Sequence, residues 1–170
     1  MTSRAPNVFG TVAIPINHVD PRWQLVRNAA AKTLTSIPTG ASLTTAVHAV
    51  DQWVNGVVTY QREMVDTWAN PAQTLASRRG DCEDFAILKR AVLRAHGVPD
   101  ELLYLTLLYD AISRNQHAIL LVDVATEFLV LDCFNALTLP SAQVMDYLPI
   151  TTMSGDQCWI HGRRTGTHQT

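Results

Sequence analysis

Gly80-Asp81-Cys82-Glu83-Asp84-Phe85-Ala86-Ile87-Leu88-Lys89 decides how this chain is read. A glycine breaks the preceding segment, Asp81 is a helix cap, and Cys82 falls on the first turn of the helix that follows. A thiol there faces backbone N–H groups without intrahelical partners and the positive end of the helix dipole. Both favour the thiolate, which is the nucleophilic form. A free cysteine is more often a small buried hydrophobe. The carboxylates of Asp81, Glu83 and Asp84 make a poor setting for an apolar contact, so Cys82 is read as a nucleophile. Those same carboxylates raise the thiol pKa, and a thiolate needs compensation from a histidinium or a bound cation.

The helix predicted from Cys82 presents Phe85, Leu88, Val92 and Ala95 on one face and stops at Gly97-Val98-Pro99. Upstream, Asn70-Pro71-Ala72-Gln73 carries a cap, a proline at the first turn and a glutamine placed for a capping box, so a short helix ends by Arg78-Arg79-Gly80. Ser42 precedes a stripe of Leu43, Ala46, Val47, Val50, Val54, Val57 and Val58 at helical spacing. Asp20-Pro21 opens another helix, with Trp23, Val26, Ala30, Leu34 and Ile37 in period until Pro38-Thr39-Gly40. Both stripes are read as core. Residues 1–19 read as an extended arm with an edge strand, and the tail from 162 to 170 as frayed.

After residue 100 the pattern changes. Leu102 to Tyr109 is an apolar run of strand length, residues 117–124 and 128–133 are two more strands joined by a short turn, and 157–160 adds another. Helices first and an antiparallel sheet after give an α+β class in a single domain spanning 1–170.

A cysteine nucleophile needs a base, and the base an orienting group. His117 opens one strand and Asp132 nearly closes the next. A turn at Val124-Ala125 puts the two directly opposite on one face. A turn at Ala125-Thr126 leaves them diagonal on the same face, and a three-residue turn at 125–127 sends them to opposite faces unless a bulge intervenes.

Bulk properties exclude several classes. The net charge of −2, without a Lys/Arg run, gives no electrostatic case for nucleic acid. No apolar run approaches the roughly 18 residues that span a bilayer, so no membrane insertion is expected. Three cysteines without CxxC spacing argue against a disulfide framework or a Cys-rich zinc site, and six histidines without HExxH argue against a zinc hydrolase. The first seven residues lack the apolar core of a signal peptide. The expected compartment is cytoplasmic, or periplasmic if an export signal preceded this chain.

Gly80–Lys89, Gly97-Val98-Pro99, His117-Ala118-Ile119-Leu120 and Leu129-Val130-Leu131-Asp132, with Phe9-Gly10-Thr11 and Trp68-Ala69-Asn70-Pro71, resemble the bacterial transglutaminase-like cysteine peptidases. That group contains the LapG-type periplasmic proteases that process adhesins. The resemblance spans about residues 8–160. It implies a papain-like, transglutaminase-type core and a Cys82-His117-Asp132 triad. It also implies calcium held by Asp81 and Glu83 with Asp84; clustered carboxylates suit a hard cation. On the residues alone, Asp81 is an N-cap and the other two complement the helix dipole. The family pattern has Asn where this chain has Cys133, and often an acidic residue where it has Gln73.

The resemblance implies a cysteine endopeptidase acting on a protein substrate, such as a large surface adhesin cut near its N-terminus. An inner-membrane cyclic-di-GMP receptor would be the partner, with biofilm control as the setting. Two other functions stay open on the residues: transglutaminase or amidase acyl transfer by the same triad, and a non-catalytic binding module. The backbone N–H of Cys82 is a natural oxyanion donor; for a second donor, Trp68 and Asn70 are the candidates, with Trp68 also read as core.

Overall fold

The computed structural model of the chain describes residues 3–32, 37, 40–62 and 67–163. In chain order the elements are β1 (Val12–Ile16), α1 (Pro21–Val26), α2 (Leu43–Val57), β2 (Thr59–Tyr60), α3 (Pro71–Ser77), β3 (Arg79–Gly80) and α4 (Cys82–Ala95). There follow β4 (Leu103–Asp110), β5 (Asn115–Asp123), β6 (Phe128–Leu131), β7 (Leu139–Pro140), β8 (Tyr147–Ser154) and β9 (Gln157–Gly162).

An unbroken apolar strand must be covered on both faces, and β4 and β5 are. They lie inside an antiparallel sheet of order β1-β9-β8-β4-β5-β6-β7. Leu103, Leu105, Leu120 and Val122 face the helices and pack with Val47, Val50 and Val54 of α2 and Leu88 and Val92 of α4. Tyr104, Leu108, Ile119 and Leu121 form a second cluster on the other face with Val8. The N-terminal arm crosses that face: Arg4 lies over the Phe128 ring, and the Tyr104 hydroxyl donates to the Arg4 carbonyl at 3.1 Å. The expected edge strand within the arm is β1, paired to β9.

The cap signals fold as written. Ser42 Oγ accepts from the Thr45 amide, and Asn70 and Gln73 close a reciprocal capping box. Helix α4 ends where expected, with Gly97 in the left-handed region at φ 83°.

The first helix is shorter than its stripe. Helix α1 stops at Val26, and Ala30 is exposed rather than core. The Arg27 carbonyl accepts from the guanidinium groups of Arg90 and Arg94 of α4, at 2.6 and 3.1 Å. A carbonyl turned toward another helix does not continue its own ladder. Leu34 and Pro38-Thr39 lie outside the described residues, as does the tail from 164, whereas Gly162 closes β9 opposite Val12.

Strand β8 was not expected. Pro149 interrupts its pattern, and the sheet takes the proline at a bulge: Leu107 pairs with Thr151 but Leu108 with Pro149. The third expected strand is shorter, ending at Leu131. All three cysteines are free thiols.

Two buried polar groups set testable limits on stability. Lys89 and Asp51, 0% and 1% exposed, form an ion pair at 2.7 Å that joins α4 to α2, and Thr138 Oγ1 donates to the same Asp51 carboxylate at 2.8 Å. Lys89→Met leaves that carboxylate buried and unpaired and should cost about 3–5 kcal/mol in urea unfolding. His161 bridges Thr11 and Thr152 at 2.8 Å each, and burial lowers its pKa from 6.5 to about 4. The unfolded chain therefore binds this proton more tightly. The stability that neutral His161 confers is complete above pH 6.5 and declines as pH falls toward 4. Unfolding curves at several pH values should show a smaller acid loss for His161→Gln than for the parent.

Candidate active site

The β5–β6 hairpin turns at Ala125-Thr126. Ala125 takes φ 72°, the Val124 amide donates to the Glu127 carbonyl at 3.0 Å, and Leu120 pairs with Leu131. Of the three registers considered, this is the diagonal one. His117 and Asp132 reach across it: Nε2 lies 2.9 Å from Asp132 Oδ1, with the side chains 3% and 2% exposed. A carboxylate only accepts, so Nε2 carries the hydrogen; in the neutral imidazole Nδ1 then keeps its lone pair.

Asp132 is held from several directions. Its Oδ1 also accepts the Phe134 amide at 2.9 Å, and its Oδ2 accepts the Tyr147 hydroxyl. Asn55 of α2 donates to the Asp132 and Asn135 carbonyls at 2.9 and 3.2 Å. Burial works to raise the Asp132 pKa, but the His117, Phe134 and Tyr147 hydrogen bonds outweigh it, and the carboxyl sits below its usual value. The His117 ring is sandwiched, stacked on Phe134 at 5.1 Å and edge-on to Tyr147 at 5.8 Å.

Cys82 is the first residue of α4, capped by Asp81, whose side chain accepts the Asp84 amide. Strand β3, just before it, is pinned in parallel to β2: the Gln61 amide donates to the Gly80 carbonyl at 2.8 Å. Gly80 must be glycine, because a Cβ there would meet Asp84 Cβ and Oδ2 at 2.7 Å. The Cys82 thiol does not bond to His117; it donates to Glu83 Oε2 at 3.0 Å. Burial, then the Glu83 charge, pushes this thiol well above an ordinary cysteine. Glu83 and His117 line one cavity of about 210 Å³ with Arg22, Gln116 and Thr151.

The acidic residues divide. The Asp81 and Glu83 carboxyls act directly on one another. Burial and the charges of Glu83 and Asp84 lift the Asp81 carboxyl to about 7. Asp84 points inward, its Oδ1 accepting the Ala69 amide at 2.8 Å. Cys133 stands beside the His–Asp pair, with one ligand atom each of His117, Asp132 and Cys133 within 4.8 Å of one another.

The sequence reading missed Tyr147, Phe134, Asn55 and Tyr60. Phe134 was findable, two residues beyond the aspartate. Tyr147 belongs to the strand hidden by Pro149. Of the two suggested oxyanion donors, Asn70 is committed to the α3 cap, and Trp68 is half-buried beneath the Arg22 guanidinium.

Residues 10–163 match the family model described as bacterial transglutaminase-like cysteine proteinase BTLCP. Legionella pneumophila LapG is similar in structure: TM-score 0.67 at 25% identity over 72% of this chain and 71% of that one. Its EGTA-treated form gives the same score and identity over 72% and 69%. Its calcium-bound form gives TM-score 0.69 at 24% identity over 78% and 76%. No curated protein matches the chain.

Tyr147→Phe removes one donor from a buried carboxylate. It should raise the Asp132 pKa, followed by carboxyl carbon NMR, and cost about 2 kcal/mol of stability.

Proposed function

We propose, for a chain that belongs to the bacterial transglutaminase-like cysteine proteinase family and is a cysteine peptidase of that kind, that Cys82, His117 and Asp132 form the catalytic triad. The observation that carries this is the buried 2.9 Å His117–Asp132 pair, with His117 lining a cavity that also holds Glu83, the residue next to Cys82.

In this reading the thiol leaves Glu83 and gives its proton to His117 Nδ1, and Sγ attacks the scissile carbonyl carbon. The tetrahedral oxyanion is met by the Cys82 backbone N–H, which as a first-turn amide has no intrahelical acceptor. The C–N bond then breaks, the leaving amine takes the proton from Nδ1, and a thioester remains. Water attacks the thioester while Nδ1 takes its proton, and the acid departs as the thiol is restored. Asp132, its pKa held low, stays ionised and steadies the imidazolium throughout.

Calcium is proposed at the acidic cluster. Two neighbouring half-buried carboxyls, with a third carboxylate beneath them, form an all-oxygen, electron-rich set that fits a hard cation. Asp81 and Glu83 would supply the outward oxygens and Asp84 charge from behind. Bound there, the ion would offset the negative charge that holds the Cys82 proton in place. That Legionella pneumophila LapG, similar in fold, has a calcium-bound form supports calcium as the ion.

The likeness to LapG-type proteases further suggests a large surface adhesin as the substrate, the periplasm as the compartment and an inner-membrane cyclic-di-GMP receptor as the partner. Among the described residues, no helix is long and apolar enough to cross a membrane.

Iodoacetamide alkylation, read by peptide mass spectrometry, tests the triad with Cys133 and Cys158 as internal standards. In calcium, Cys82 should react at least about 100-fold faster than either, the scale of one acid–base group. His117→Ala or chelation should remove most of that advantage. Equal reactivity of the three thiols in every condition would overturn the assignment.

A further inference from the structure

On the other side of His117 lies a second cavity, of about 480 Å³. Its wall is aromatic: Tyr60 packs on Phe134 at 4.7 Å, and Phe134 stacks on His117. Burial, and then the proximity of Cys82, Cys133 and Asp81, raises the Tyr60 phenol pKa, so this wall stands near Cys82. Arg62, just after β2, and Arg114, in the β4–β5 turn, line the mouth together with Tyr109 and Gln116, and no carboxylate lines it.

Both arginines are exposed, and among the described residues neither has an ion-pair partner, whereas Arg4, Arg22, Arg27, Arg90 and Arg94 all do. Arg114 is held by its backbone rather than its side chain. It takes φ 58°, and its amide donates to the Asp110 carbonyl at 2.8 Å. The nearby Asp110 carboxylate is occupied within the turn by the Ile112 amide. The other cavity that His117 lines carries Glu83 together with Arg22, whose guanidinium is already paired to Asp20. Of the two cavities, the one with Arg62 and Arg114 is the more cationic.

We propose that the cavity formed by Tyr60, Arg62, Arg114 and Phe134 is a specificity subsite that selects an aspartate or glutamate side chain of the substrate, a few residues from the scissile bond on one side. This rests on the triad reading. A guanidinium binds a carboxylate through paired hydrogen bonds, and the aromatic wall covers the side chain's methylenes. In the Glu83 cavity the guanidinium of Arg22 is already paired to Asp20, so the preference is expected on the side of Arg62 and Arg114.

The test uses epoxysuccinyl peptides, which carry residues on both sides of the reactive carbons. Glu, Gln or Lys is walked through each position of a Gly/Ser/Ala background, and adduct formation at Cys82 of the full chain in calcium is timed by mass spectrometry. At one position Glu should react about two- to fivefold faster than Gln, the upper range for exposed ion pairs, with Lys slower than Gln and the differences shrinking in salt. Arg62→Glu with Arg114→Glu should invert that order. Because the ratio is taken within each variant, a general loss of activity does not mimic the result. The single Arg→Gln changes should reduce the ratio without inverting it. Glu and Gln reacting equally at every position, or an unchanged order in the double variant, would refute the subsite and leave the triad standing. If no peptide labels Cys82 and iodoacetamide shows it to be an ordinary thiol, the triad reading falls, and the subsite with it.

Discussion

The carboxylate of Asp132 is the fixed point of this molecule. An ion taken out of water costs several kcal/mol unless hydrogen bonds replace its hydration. Here they come from His117 of β5, from the Phe134 amide just past β6 and from Tyr147 of β8. Strands β5 and β8 are not neighbours, since β4 runs between them. One side chain therefore ties together parts of the sheet that backbone pairing alone does not join. Asn55 extends the tie to α2 through the Asp132 carbonyl. The orientation of the imidazole is thus a property of the assembled sheet and helix layer.

Beneath that layer the charges are arranged in depth. Lys89 follows Cys82 by about two helical turns, which places both on the same side of α4. The thiol sits at the tip and the ammonium deep in the core, paired to Asp51 of α2. Burial pushes the Asp51 carboxyl up, and Lys89 and Thr138 pull it back. The Lys89 charge also reaches Cys133, opposing the burial and the Asp132 charge that raise that thiol. The lysine at the end of the Gly80–Lys89 string thus locks α4 against α2.

Much of this was legible in the sequence because its causes are local. Ser42, Asn70 with Gln73, Asp81 and Gly97 act within one turn of the residues they cap, so spacing sufficed to find the helix ends. The diagonal His117–Asp132 register was one of three that the turn permitted, and choosing among them required knowing that Ala125 adopts a positive φ. What stayed hidden was non-local. Helix α1 ends because α4 claims the Arg27 carbonyl, and nothing within residues 20–37 signals that. Strand β8 is tolerated despite Pro149 because β4 offers a bulge, and Tyr147 was lost to view with it. Gly80 reads as a breaker, yet the constraint on it is steric, imposed by Asp84.

The acidic residues around Cys82 set two requirements against each other. Asp81 must cap α4 to bring the thiol onto the helix N-terminus, and the dipole there offers about half a positive charge. Against this stand the charges of Glu83 and Asp81, and together with burial they hold the sulfur protonated and directed at Glu83. A histidinium on His117 would neutralise one negative charge only, that of the thiolate itself. The remaining charge around Asp81 must be met by a proton, as the raised Asp81 pKa indicates, or by a cation. Protonation would satisfy the carboxyls locally without placing positive charge near the sulfur. A divalent ion would do both, so under the proposed calcium reading the residues that hold the thiol protonated would also carry the ion that releases it.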